Sequence, residues 1–93
     1  MTKSGKIYKI KIADLAADFI RKQTKKNQRQ IMNKISSLAE DPCSKGDRIK
    51  NKPEFFKIRS GVFRIAYMVQ ENQVIVLVLR VGHRKDFYRY FDR

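Results

Sequence analysis

Lys57, Arg59 and Arg64 are the side chains best placed to do chemistry in this 93-residue chain. They lie in Phe56-Lys57-Ile58-Arg59 and Phe63-Arg64-Ile65, where cations alternate with apolar residues on either side of Ser60-Gly61. Alternation at a period of two is the mark of a strand, and a glycine-containing link between two such runs closes a hairpin. With Ser60-Gly61 as a two-residue loop, Arg59 is expected opposite Val62, Ile58 opposite Phe63, Lys57 opposite Arg64 and Phe56 opposite Ile65. The three cations then share one face, where like charges across a strand pair cost about 0.2 to 1 kcal/mol. A bound polyanion would offset that cost, and splaying the long side chains into water would avoid it. A second group closes the chain, Gly82-His83-Arg84-Lys85-Asp86-Phe87-Tyr88-Arg89-Tyr90-Phe91-Asp92-Arg93. Aromatic rings interleaved with arginines suit stacking on unpaired bases while the cations hold a phosphate backbone. Docking of Phe87, Tyr90 and Phe91 on the core is the competing use.

The elements that must position these groups are legible in the pattern. Phe56, Ile58, Phe63, Ile65, Tyr67 and Val69 form an apolar face that requires a helical layer over it. A turn at Gln70 to Gln73 leads to Val74 to Leu79, an aliphatic run that suits a central strand buried on both faces. Ile7 to Ile12 alternates with Lys9 and Lys11 outward, as an edge strand guarded by lysines would. Helical spacing then predicts helices at about residues 13 to 25 and 27 to 40, the second capped by Asn27 and stopped before Pro42. Ser44 to Glu54 has Ile49 as its one apolar residue and reads as a surface loop, and Gly82 ends the central strand. The expected fold is α+β: an N-terminal strand, an αα-hairpin and a three-stranded antiparallel meander. Together these form a four-stranded sheet with both helices on the Ile58 face. Residues sharing the parity of Lys57, namely Phe55, Ala66, Met68, Ile75, Leu77 and Leu79, form a second apolar patch beside the cations, and such patches mark interaction sites.

Ninety-three residues support one domain, 1–93, with a modest core. The chain carries 22 Lys plus Arg against 9 Asp plus Glu, a net charge of +13 spread through both halves. The folded body itself is therefore cationic and attracts nucleic acid, anionic membrane or an acidic protein. Cys43 is the only cysteine, which excludes an internal disulfide and a multi-cysteine zinc site and fits a reducing compartment. No clustered carboxylates or Cys/His ligands suggest a metal, and no cofactor is expected. Met1 to Lys6 is polar and lacks the apolar region of a signal peptide, so a cytoplasmic location without membrane contact is expected.

The order strand, two helices, three strands, together with Phe56-Lys57-Ile58-Arg59, Gly61-Val62-Phe63-Arg64-Ile65-Ala66-Tyr67 and Val81-Gly82-His83-Arg84-Lys85-Asp86-Phe87-Tyr88, resembles the RelE/ParE toxin superfamily of toxin–antitoxin modules. The resemblance covers almost the whole chain. In the RelE branch the toxin enters the ribosomal A site and cleaves mRNA with basic residues and a C-terminal tyrosine. In the ParE branch the toxin inhibits DNA gyrase and generally lacks that set.

By motif, the resemblance implies that Lys57 and Arg59 match the basic pair of the RelE branch. Arg64 and Arg84 match its two arginines and Tyr88 its terminal tyrosine. Tyr88 follows Arg84 at a closer spacing than in the prototype, which makes Tyr90 the alternative. His83 has no catalytic duty in the motif. The implied reaction is attack of a ribose 2′-hydroxyl on its own phosphate without a metal, with Tyr88 or Lys57 taking the proton and Arg84 serving the leaving oxygen. A tyrosine near its ordinary pKa of about 10 is barely ionised at pH 7, so neighbouring cations must lower it. The implied partners are an acidic, RelB-like antitoxin, the ribosome with its mRNA, and operator DNA only as the toxin–antitoxin complex.

Overall fold

The computed structural model describes residues 7–50 and 52–91, and the side chains of 7–50 and 52–87. Its centre is the expected hairpin, formed by β3 (Lys52–Ser60) and β4 (Phe63–Gln70). Ser60 pairs with Phe63, Arg59 with Arg64, Ile58 with Ile65, Lys57 with Ala66 and Phe56 with Tyr67. This register lies two residues from the one expected, because the loop is Gly61-Val62. Gly61 adopts φ 61°, and a two-residue hairpin loop with a single glycine wants it at the first position. An even slip leaves every side chain on its face, so the separation of cations from core residues stands.

β5 (Ile75–His83) runs antiparallel beside β4, and β1 (Lys9–Ile12) pairs with β5 in parallel. The strand order is β1-β5-β4-β3-β2, where β2 (Asp47–Ile49) adds a fifth strand. β2 and a one-turn helix, α3 (Pro42–Lys45), occupy part of the stretch read as loop. Three residues with one apolar side chain carry no period to read. Burial of Ile49 against Ala66 and Phe87, and the Arg48 guanidinium 4.6 Å from the Phe56 ring centre, hold this strand instead. The α+β class is as expected, with one more strand than the pattern predicts.

Helices α1 (Asp14–Arg21) and α2 (Lys25–Ser37) cover the Ile58 face. Ala16, Ile20, Ile31, Ile35 and Leu38 pack on Phe56, Ile65, Tyr67, Val76 and Val78, each large aliphatic or aromatic side chain contributing about 1.5 to 3 kcal/mol. Phe56 stacks on Tyr67 at 5.3 Å, and Phe19 meets Phe63 edge-on at 5.9 Å. The cap of α2 is Thr24 and not Asn27, since the Thr24 hydroxyl accepts the Asn27 backbone N–H at 3.1 Å. Among the described residues no helix is long and apolar enough to cross a membrane.

Two features alter the Lys57 face. The aromatic and basic group that closes the chain forms α4 (Arg84–Phe91), whose Phe87 is 1% exposed and packs on Ala66 and Ile49. The first turn of this helix lies close over Gly82, where an added Cβ would be in ordinary contact, 4.0 Å from Phe87 Cα. The second is a β-bulge. Ala66 pairs with Arg80 but Tyr67 with Val78, so Leu79 is an extra residue in β5. Beyond it parity inverts, which turns Arg80 onto the Lys57 face and Val81 into the core.

Candidate functional site

The cations stand in two rows that run across the sheet. Nearest the hairpin turn lie Arg59, Arg64 and Gly82; one pleat back lie Asp47, Lys57, Ala66 and Arg80. Strands about 4.8 Å apart and a rise of about 3.3 Å per residue confine the cations of β3, β4 and β5 to a patch roughly 10 Å across. β2 ends at the Asp47–Lys57 pair, so Ile58, Arg59 and Ser60 have no outer strand among the described residues. The gap between the end of β2 and α2 is a concavity of about 470 Å³. Lys34, Lys45, Gly46, Asp47, Lys57, Ile58, Arg59 and Arg64 line it.

Arg64 is the most constrained of these groups. It is 7% exposed, and its Nη1 donates to the carbonyls of Gly61 and Phe63, each at 3.0 Å. The hairpin turn thus holds the guanidinium rigidly against the sheet. Its Nε is buried with no acceptor among the described residues. A buried charged donor without a partner is costly, and the planar fork retains capacity for an anion. Arg59, directly opposite, is exposed.

Three further basic residues join the patch. Lys45 donates from Nζ to the Ser37 carbonyl at 2.7 Å, at the negative end of α2. Lys34 projects from α2 into the same concavity. Arg80 arrives through the bulge, which no glycine or proline announces. The spacing of Lys34 behind Gln30 on one helix face was the available signal for that residue, and Lys45 had none. Lys45 and Asp47 are set by a close approach beneath them. The buried Tyr67 hydroxyl donates to the Pro42 carbonyl at 2.7 Å, and a Cβ at Gly46 would lie 2.5 Å from that hydroxyl and 2.6 Å from the Lys57 carbonyl. Burial pushes the Tyr67 hydroxyl pKa well above the usual tyrosine range.

Of the residues singled out in the sequence, Lys57, Arg59 and Arg64 meet at the concavity. Arg84 opens α4 at the turn end of the same hairpin, its backbone N–H donating to the Val62 carbonyl at 2.8 Å, and its side chain is exposed. It does not line the concavity. His83 packs its ring edge-on against Phe63 at 5.3 Å, a structural contact. Tyr88 and Tyr90 belong to α4, and their side chains lie outside the described residues. Among the described residues, no three His, Cys, Asp or Glu side chains gather to hold a metal. The arrangement can bind and polarise a phosphate diester through preorganised cations.

Comparisons with known proteins bear on the family and the fold. The family model described as "ParE toxin of type II toxin-antitoxin system, parDE" matches residues 10–88. The mRNA interferase toxin RelE of Escherichia coli K12 is 31% identical over 58 residues, covering 60% of this chain and 61% of that protein. Toxin RelG of Mycobacterium tuberculosis is 30% identical over 56 residues, covering 59% of this chain and 64% of RelG. The chain thus spans less than two thirds of the length of either relative. Among solved structures, the RelBE2 toxin–antitoxin complex of Mycobacterium tuberculosis superposes with a TM-score of 0.79 at 20% identity, covering 89% of this chain and 98% of that one. The intact RelBE toxin–antitoxin complex of Escherichia coli gives 0.72 at 27% identity, covering 82% and 95%. With the family model matched over most of its length, this chain belongs to the ParE toxin family of type II toxin–antitoxin systems, as a RelE-like toxin of the RelE/ParE superfamily.

Proposed function

We propose that this toxin is a ribosome-dependent endoribonuclease that cleaves mRNA in the A site by metal-free attack of a ribose 2′-hydroxyl. The observation that carries this is Arg64: a buried guanidinium whose Nε has no partner among the described residues, fixed by its own hairpin turn and facing a concavity shared with Lys57 and Arg59. A group held in that way requires no reorganisation when negative charge develops on a phosphorane, and charge stabilisation in a desolvated site is worth most. The 2′-oxygen forms a bond to phosphorus as the bond to the 5′-oxygen breaks, leaving a 2′,3′-cyclic phosphate and a 5′-hydroxyl. The 2′-proton passes to the deprotonated side chain of Tyr88, with those of Tyr90 or Lys57 as the other acceptors, while Arg84 stabilises the departing oxygen, which takes a proton from Arg84 or from water to become the 5′-hydroxyl. Lys57, Arg59 and Arg64 meet the charge on the phosphorane. The set contains neither a histidine nor a carboxylate to act as general base, which suits an enzyme whose ribosome presents mRNA in a reactive geometry.

The antitoxin is proposed to be an acidic, RelB-like protein encoded alongside. Its complement is the net charge of +13 together with half-buried Phe55, Met68, Ile75 and Leu77, which share the parity of Lys57. Operator DNA is bound only by the joint complex.

The second reading, inhibition of DNA gyrase without RNA cleavage, is supported by the ParE description of the matching family. The relatives named as mRNA interferase and the basic set support cleavage. In-vitro translation with 5′-end mapping of the mRNA, set beside a gyrase supercoiling assay, separates the two. New 5′ ends that require the ribosome support the ribonuclease, and intact mRNA with blocked supercoiling overturns it.

A further inference from the structure

A second concavity, of about 410 Å³, adjoins the first and is lined by Gln30, Asn33, Lys34, Ser37, Arg59, Ser60 and Gly61. The two share Lys34 and Arg59, which form the ridge between them. Their chemistry differs. The first is floored by Lys57 and Arg64, whereas away from the ridge the second offers carboxamides, a hydroxyl and backbone, with no carboxylate.

Gln30, Asn33, Lys34 and Ser37 recur at the spacing that puts residues on one face of a helix. They form a polar stripe along α2 beside the buried stripe of Ile31, Ile35 and Leu38. This stripe is held against the hairpin turn: the Ser60 hydroxyl donates to the Gln30 carbonyl at 3.4 Å, and a side chain at Gly61 would run into the Gln30 carboxamide. Glycine at this position therefore supplies the left-handed φ and also the room in which the Gln30 side chain lies. A phosphate-binding surface divided by two cations from a pocket of amide donors and acceptors has the two-part chemistry of a nucleotide. Carboxamides recognise base edges because each presents a donor beside an acceptor.

We propose that the second concavity is a nucleobase subsite, in which the Gln30 and Asn33 carboxamides read the edge of the base next to the phosphate held by Arg59. This deepens the ribonuclease function proposed above and rests on it for the identity of the ligand, an unpaired RNA segment. Lys34 and Arg59 clamp the intervening phosphate, and the carboxamides set which base is accepted at one position beside the cleaved bond.

The test uses the full chain in two arms. In the first, cleavage sites of the parent, Gln30→Ala and Asn33→Ala are mapped on translated mRNAs that vary the nucleotides around the bond. The preference at one position is expected to fall by about 10-fold or more, the scale of a lost bidentate base contact, with preferences at other positions unchanged. In the second arm, the side-chain amide NMR signals of Gln30 and Asn33 are followed during titration with trinucleotides carrying 2′-O-methyl groups, which cannot be cleaved. Shifts that depend on the base support the subsite. Unchanged base preference in both variants, or amide signals that ignore the base, overturn it. Base-dependent shifts in a protein that cleaves nothing on the ribosome uphold the subsite and reject the nuclease, so the two failures are distinguishable.

Discussion

Arg59 and Arg64 stand directly across from one another on the β3–β4 hairpin, one exposed and the other buried with Nη1 bound to two carbonyls of its own turn. Two cations in a cross-strand pair disfavour the hairpin, and the burial of one adds a desolvation cost. The pair is therefore a liability to the hairpin on its own, and the proposed phosphate would offset that cost.

Arg64→Ala and Arg84→Ala should each slow ribosome-dependent cleavage by about 100-fold or more, the range for losing one preorganised electrostatic contact. Ribosome affinity should fall far less, since many surface cations share the phosphate contacts. Arg64→Lys should rescue little, because an ammonium cannot reproduce the planar fork. In thermal melts Arg64→Ala should be neutral or stabilising, which separates a functional arginine from a structural one.

Tyr88→Phe keeps the ring and removes only the hydroxyl. A large rate loss in single-turnover cleavage assigns Tyr88 to proton transfer. A nearly silent Tyr88→Phe beside a severe Tyr88→Ala makes the ring a positioning group. If Tyr90→Phe alone is severe, the hydroxyl in use is one turn-fraction further along α4.

The strand–helix–helix–strand order and the face carrying Lys57, Arg59 and Arg64 were readable because period-two and helical patterns survive an even slip of register. The loop position was missed by one residue, since Ser60-Gly61 and Gly61-Val62 differ only in where glycine's φ is needed. β2 was invisible: Ile49 is buried against Ala66 and Phe87, residues distant in sequence. Arg80 was hidden by the bulge at Leu79, because strict alternation assigns Arg80 to the core face. Gln30 and Asn33 were passed over, as a polar stripe on α2 reads equally as a solvated helix face.

Gly46→Ala should lower both stability and cleavage. The added Cβ meets the Tyr67 hydroxyl and the Lys57 carbonyl, and neither can retreat without moving Pro42 or β3. Overpacking of this kind costs about 1 to 3 kcal/mol. Denaturant midpoints measure the first effect, and single-turnover cleavage at saturating protein measures the second. Unchanged values for both would show that α3 and the Lys45 side chain adapt freely.

Tyr67 should mark the alkaline limit of stability. Burial raises its folded-state pKa, so the folded chain holds this proton more tightly than the unfolded chain. Its contribution is full below the ordinary tyrosine pKa of about 10 and is lost as pH rises above that value. Tyr67→Phe should lose about 1 kcal/mol at pH 7 with the Pro42 hydrogen bond and should narrow the gap to the parent above about pH 10. Urea midpoints of both proteins across pH 7 to 11 check this, and a constant gap would count against it.

The parallel pairing of β1 with β5 joins Lys9 to Ile75, near opposite ends of the chain. Contacts so remote in sequence pay their loop-closure entropy before they return any stability, and they form late. The cationic hairpin, by contrast, is local and can close as soon as β4 exists. Substitutions of Ile10 or Ile12 should therefore accelerate unfolding and leave the refolding rate almost unchanged, whereas Ile58 or Ile65 substitutions should slow refolding. On a translating ribosome the sheet cannot be completed until β5 has emerged, so the cationic hairpin precedes the scaffold that makes it rigid.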